Sequence, residues 1–277
     1  MSNEERLKKM QLIFSTEKMT LEDILYDIIQ RDFKWINPWT KACAIMEIST
    51  INTSENLPIL LANMVNPDPM LAELSALYVF SKNKEKYYEN KEIFGREYTN
   101  IISHTAINAI ENSNKKINKG MPILKFEIIK YLKEINEFSN IPGEVLKYLT
   151  NAVSPLEFKA GEVIESIDNL DISNYHYIVY AGKVNLLIND IPVKSFGKNT
   201  FLSTLDLLID YNAVVKLSAE TDVQIYKIDP SEFADYLNFY DEIPFSIVEN
   251  TSTKDISVYE QIIKNEREYQ KAQVVFI

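Results

Sequence analysis

The stretch Phe201–Thr221, FLSTLDLLIDYNAVVKLSAET, decides how the rest of the chain is read. Phe201, Leu205, Leu207 and Leu208 fall at helical spacing, Asp210 to Asn212 turn the chain, and Val214 to Ala219 are β-prone. The expectation is a short apolar helix followed by a strand, an unusual insertion in an otherwise β segment.

Working outward, the flanks supply that β segment. Upstream lie Phe138, Ile141, Pro142 and Leu146 on a helical pair, then Phe158, Gly161 and Ile164, then Tyr177, Ile178, Val179, Gly182 and Val184, then Val193, Phe196 and Gly197. Downstream lie Ala219, Thr221, Val223, Ile225 and Ile228, with Phe233 on the opening turn of a closing helix. Each item is weak alone, but their order and spacing from about Leu124 to Glu249 resemble the cyclic-nucleotide-binding domain. In that family the helix-bearing insertion is the cassette where a helix N-terminus and an arginine meet a cyclic phosphate.

The resemblance implies a jelly-roll barrel with flanking helices, and a ligand pocket whose key positions have changed. With Phe201, Leu205, Leu207 and Ala219 as anchors, the family's cassette glycine falls at Ser203, its ribose-binding glutamate at Thr204 and its phosphate-binding arginine at Ala213. No arginine stands between Arg96 and Arg267 to replace it. Lys216 is near, but a lysine lacks the planar fork that grips two phosphate oxygens. Losing one partner of a buried charged hydrogen bond costs roughly 2–5 kcal/mol, so two losses weaken binding by about a thousandfold or more. The pocket reads as degenerate, and neither cyclic AMP nor cyclic GMP is expected as a ligand.

The N-terminal part has a different period. Thr20 and Asp23 suit a helix start, and Leu21, Ile24, Leu25, Ile28 and Ile29 form a stripe. A preceding helix is expected before Ser15. NPWTKACAIMEI from Asn37 and NPDPMLAELSALYVF from Asn66 align with Pro38 over Pro69, which places Ala44 over Ser75, Ile45 over Ala76 and Ile48 over Val79. Proline entries followed by small residues look like HEAT-type helical repeats. Further helices are expected over Leu57 to Val65, Lys91 to Ile102 and Thr105 to Glu111. The polar run NSNKKINKG marks a linker.

The expected organisation is therefore α+β: a HEAT-like helical domain over 1–111, a linker over 112–120, and a cyclic-nucleotide-binding-type jelly roll with a C-terminal helix over 121–277. Helical entry, NPW repeat, linker and cassette together resemble the soluble tail of bacterial membrane proteins of the ATP/ADP-translocase-like group. Trp39, Cys43, Ala44, Pro69 and Glu73 are the helical landmarks of that resemblance. It implies a protein partner, in the form of a membrane transporter-like protein, met at the exposed end of the helical block, including the first helices up to Asp32 and the surface beside Trp39 and Met70.

Bulk properties narrow the function. Forty acidic residues against 29 basic ones, a net charge of −11, argue against a nucleic-acid partner. The tail after Tyr240 is too short for a helix-turn-helix domain. No apolar run is long enough to enter a bilayer, so a cytoplasmic protein, peripheral to a membrane only through a partner, is expected. Cys43 is the single cysteine and reads as a buried thiol in a reducing compartment.

His104 and His176, the two histidines, lack partners at catalytic or metal-binding spacing. Gly197–Thr200, GKNT, lacks the rest of a phosphate loop and reads as a turn. Tyr175, Tyr177, Tyr180 and Phe196 could stack a base, but on alternating strands they fit barrel core or cross-strand pairs. No catalytic residue, metal site or cofactor is expected. The leading function is a non-enzymatic regulatory or protein-interaction module; the alternative is a sensor of a non-standard small ligand in the barrel pocket.

Overall fold

A computed structural model of the chain describes residues 20–51, 56–113, 120–167, 176–202, 215–229 and 231–233. By its internal contacts the chain divides into two units, Met1–Ser113 and Asn114–Ile277.

The first unit is helical. Helix α1 (Leu21–Gln30) opens with a reciprocal cap: Thr20 Oγ1 accepts the Asp23 N–H at 3.1 Å, and Asp23 Oδ2 accepts the Thr20 N–H at 2.8 Å. The two proline-entry helices, α2 (Pro38–Thr50) and α4 (Pro69–Lys82), are capped by Asn37 and Asp68, with proline at the first helical position, where its missing N–H costs nothing. Helix α3 (Leu57–Asn63) lies between them in sequence. The aligned pairs Ala44/Ser75, Ile45/Ala76 and Ile48/Val79 are all buried.

Helix α4 is the centre of this unit and packs against α2, α3, α5 (Lys84–Phe94) and α7 (His104–Asn112). The helix expected over Lys91 to Ile102 is two: α5 starts earlier, and Gly95 at φ +49 separates it from α6 (Arg96–Ile101). Inside, the Tyr98 hydroxyl donates to the Tyr87 hydroxyl at 3.0 Å, which donates to Glu111 at 3.2 Å, so three helices share one polar chain. Burial raises both phenol pKa values, that of Tyr98 to about 12.

The second unit is α+β. Among its described residues, three helices, α8 (Lys125–Leu132), α9 (Asn136–Ser139) and α10 (Gly143–Ala152), lead into eight strands. These are β1 (Val153–Phe158), β2 (Val163–Ile167), β3 (His176–Ala181), β4 (Val184–Ile188), β5 (Ile191–Phe196), β6 (Thr200–Leu202), β7 (Val215–Ala219) and β8 (Val223–Ile228). They form two antiparallel sheets, β1-β8-β3-β6 and β2-β7-β4-β5.

Alternation along the strands assigns the faces. Tyr177, Val179, Leu202, Val223 and Ile225 of the first sheet share one core with Val184, Leu186, Phe196, Val215, Leu217 and Ala219 of the second. The other face of the first sheet meets the helices. Tyr131 of α8 packs edge-on to Tyr180 at 5.0 Å and donates to the Val179 carbonyl at 3.1 Å, and Phe138 of α9 meets Phe201 at 5.2 Å.

Three expectations change. Phe201 is on a strand, paired with Ile178, because its outward position lets its ring meet Phe138. Cys43 is only half-buried although Ala42 and Ala44 beside it are buried, since the three side chains point around α2 in different directions. Met70 has no exposed surface. It belongs to the first turn of the central helix α4, so its expected place on an open surface is corrected.

Candidate functional site

Strands β6 and β7 bound the segment 203–214. Ser203, Thr204 and Ala213, the expected pocket positions, and the expected cassette helix lie outside the described residues. So do the helix expected before Ser15, the linker lysines, Tyr175 and the tail after Phe233. What the structure describes is the end of the barrel from which that segment departs.

Two charged residues define this end. Lys216 is opposite Leu187 on β4, alternating with the core residues Val215 and Leu217, so it points to the outer face. There its amino group pairs with Asp190 in the β4–β5 turn at 2.7 Å. It is held away from the barrel interior, where an anionic ligand would need it.

Glu165 is on the inner side. It lies opposite the core residue Leu217, and its carboxylate accepts a hydrogen bond from the Tyr177 hydroxyl. The cause is a register shift between Val163 and Glu165. An extra residue makes consecutive side chains turn to one side of the sheet: Ile164 packs on the core and Glu165 reaches Tyr177, while Val163 is left 53% exposed. Sequence reasoning missed Glu165 because strict alternation gives no warning of a bulge. The run VIES, with an acid beside two apolar residues, was its only signal.

The aromatic set does not form one stacking platform. Tyr177 and Phe196 are in the barrel core, whereas Tyr180 is on the helix-facing side against Tyr131 and Tyr226. Lys194, opposite the inward Leu186, lies 5.1 Å from the centre of the Phe196 ring.

His176 opens β3. Its ring stacks on Phe201 at 5.7 Å and meets Phe233 edge-on at 4.7 Å, and its buried Nδ1 has no hydrogen-bond partner among the described residues. Burial pushes its pKa down to about 4, so the ring is neutral near pH 7 and behaves as an aromatic. His104 is at the exposed first position of α7. Gly197–Thr200 is a turn, with Asn199 at φ +63. Among the described residues no group of three or more His, Cys, Asp or Glu side chains could hold a metal ion, and no helix is long and apolar enough to cross a membrane.

No protein-family model matches the chain. Solved structures similar to it include the sensor domain of the transcriptional regulator DNR from Pseudomonas aeruginosa, at 12% identity and TM-score 0.38, covering 46% of this chain and 91% of that one. Another is the regulatory subunit of a cAMP-independent protein kinase A from Trypanosoma cruzi bound to guanosine, at 20% identity and TM-score 0.42, covering 62% of this chain and 55% of that one. A third is a cyclic-nucleotide-binding-like protein from Brucella abortus, at 19% identity and TM-score 0.31, covering 40% of this chain and 98% of that one. This is a likeness in the course of the chain and not in a site. The matched part spans just over half of the kinase regulatory subunit.

Proposed function

We propose that the chain is a non-enzymatic regulatory or protein-interaction module with a barrel that does not read cyclic AMP or cyclic GMP. The observation that carries this reading is the charge arrangement at the cassette end: Glu165 is turned inward, and Lys216 is turned outward and neutralised by Asp190. An inward carboxylate near a cyclic phosphate is repulsive, and Lys216, on the outer face with Asp190, is not placed to offset it. Thr204 and Ala213, at the sequence positions of the family's glutamate and arginine, point the same way.

The helical unit, read as HEAT-like repeats, then supplies the interaction surface, and the partner is a membrane transporter-like protein at the cytoplasmic side of a membrane. Calorimetry of the full chain with cyclic AMP or cyclic GMP should give no binding heat up to about 100 μM nucleotide. A micromolar dissociation constant for either would overturn the reading.

The Glu165–Tyr177 pair also favours one second reading, a sensor of a neutral or cationic small molecule, since a carboxylate and a phenol suit hydrogen-bond donors and amines. Glu165→Gln should then alter ligand binding while leaving the barrel folded.

A further inference from the structure

The apolar stripe of α1 is wider than the surface that covers it. The helix packs on α2 and buries Leu25 and Ile29, and Ile28 is half-buried. Leu21 and Ile24, on the open flank of the same stripe, are 58% and 42% exposed. Rolling the helix to hide them is prevented at two places. Its start is held by the Thr20–Asp23 cap, and on the other flank the Tyr26 hydroxyl donates to Asn56 Oδ1. Asn56 is itself buried, and its amide donates to the Ile48 and Ile51 carbonyls at 3.0 and 2.9 Å. The open strip is therefore a fixed feature of the first unit.

Leu21, Ile24 and Ile28 recur at i, i+3 and i+7, the spacing of a seat for a second helix. The stretch before Thr20 carries that spacing in Leu7, Met10 and Phe14, with Glu5, Lys8 and Lys9 falling on the opposite side. Run in the reverse direction, it places Phe14 across from Leu21, Met10 beside Ile24 and Leu7 across from Ile28. Ser15 to Met19 join the two stretches, a connection within the roughly 2–5 residues that commonly link antiparallel helices.

We propose that residues 4–14 occupy this strip as a helix antiparallel to α1, with Leu7, Met10 and Phe14 seated on Leu21, Ile24 and Ile28. The tether selects this occupant. A segment on so short a connection is present at an effective concentration of about millimolar, which a free helix of equal apolar character does not match. The net charge of −11 disfavours a second copy. The contact does not rest on the partner reading but bears on it. Where sequence reasoning placed a partner, Met70 is buried and Trp39 half-buried, and the stripe of α1 is covered by the chain itself. A partner using that stripe has to lift residues 4–14 first.

The test uses the full chain with Cys43→Ser, so that introduced thiols are the only ones. Leu7→Cys with Ile28→Cys is compared with Lys9→Cys with Ile28→Cys under a short phenylenedimaleimide, whose reach suits packed helices about 8–10 Å apart. The first pair should crosslink within one chain about tenfold faster or more than the second, because position 9 faces away. Hydrogen exchange on the otherwise native chain reads the same contact without a crosslink. Leu7→Ser with Phe14→Ser should speed exchange of the Leu21–Gln30 amides severalfold and leave the second unit unchanged, while Lys9→Ser behaves as wild type. Equal crosslinking rates for the two pairs overturn the proposal, as does unchanged exchange in Leu7→Ser with Phe14→Ser. A crosslinked dimer as the main product also overturns it and makes a second copy the occupant.

Discussion

Gly182, between β3 and β4, is at φ +82, and a Cβ there would stand 2.3 Å from the Asp222 carbonyl oxygen and 2.9 Å from Val223 Cα. Both obstacles are backbone, so the neighbouring strand would have to move. Gly182→Ala should lower stability by roughly 2–4 kcal/mol, read from the urea midpoint. Gly161 is the control: its φ is +88 but nothing lies within 4 Å, so Gly161→Ala should cost only the left-handed penalty of about 1–2 kcal/mol. His176 gives a pH prediction with a definite sign. Its folded pKa of about 4 is below the unfolded value near 6.5, so below pH 6.5 the unfolded chain takes up the proton first. The stability contributed by the neutral ring is present above pH 6.5 and is lost as pH falls towards 4. His176→Phe, which keeps a ring between Phe201 and Phe233, should remove up to about 2 kcal/mol of the stability change between pH 7 and pH 5, measured by urea unfolding at both values. A variant with the wild-type pH dependence would show that the proton binds elsewhere. At this scale the sequence was most legible where chemistry is local, as in the Thr20–Asp23 cap. It was least legible at Glu165, whose direction is set by a one-residue bulge and by a tyrosine on another strand.

Single residues often serve two elements at once, and these are the joints of the fold. Asn83 ends α4, its N–H donating to the Val79 carbonyl at 2.7 Å, and starts α5, its side chain accepting the Lys86 N–H at 3.0 Å. Because α4 is the central helix, a loose joint there is felt by the whole first unit. Asn83→Ala should cost about 1 kcal/mol, the usual worth of an N-cap, and lower the thermal midpoint without altering helix content at 25 °C. Element type was well legible where period and punctuation agreed, as at Pro38 and Pro69, each preceded by an Asx cap. It failed at Phe201, where helical spacing with Leu205 and Leu208 competed with strand pairing to Ile178 and with the Phe138 ring, contacts distant in sequence. It failed again at Gly95, a helix break whose φ of +49 with ψ −113 only glycine adopts readily.

At the scale of the whole chain, the question is whether each unit holds its own core. In the second unit the two sheets bury Val179, Leu186, Leu217 and Ile225 between them, and the outer face of the first sheet is covered by α8 and α9 from the same unit. The hydroxyl of Tyr226 on β8 donates to the Pro122 carbonyl at 2.6 Å, so even the lead-in to α8 is fastened to the barrel. Lys133 after α8 donates to the Ile141 carbonyl at 2.8 Å, linking the helical lead-in to the start of α10. None of these contacts draws on residues before 120. Residues 121–277 should therefore fold without the first unit, with a cooperative urea transition and a near-ultraviolet dichroism spectrum from its buried tyrosines. Limited proteolysis of the full chain should cut first within the polar run 112–120, which carries Lys115, Lys116 and Lys119 for trypsin. A fragment without near-ultraviolet signal, together with a full chain resistant to trypsin in that run, would mean that the barrel core needs the helical unit to form.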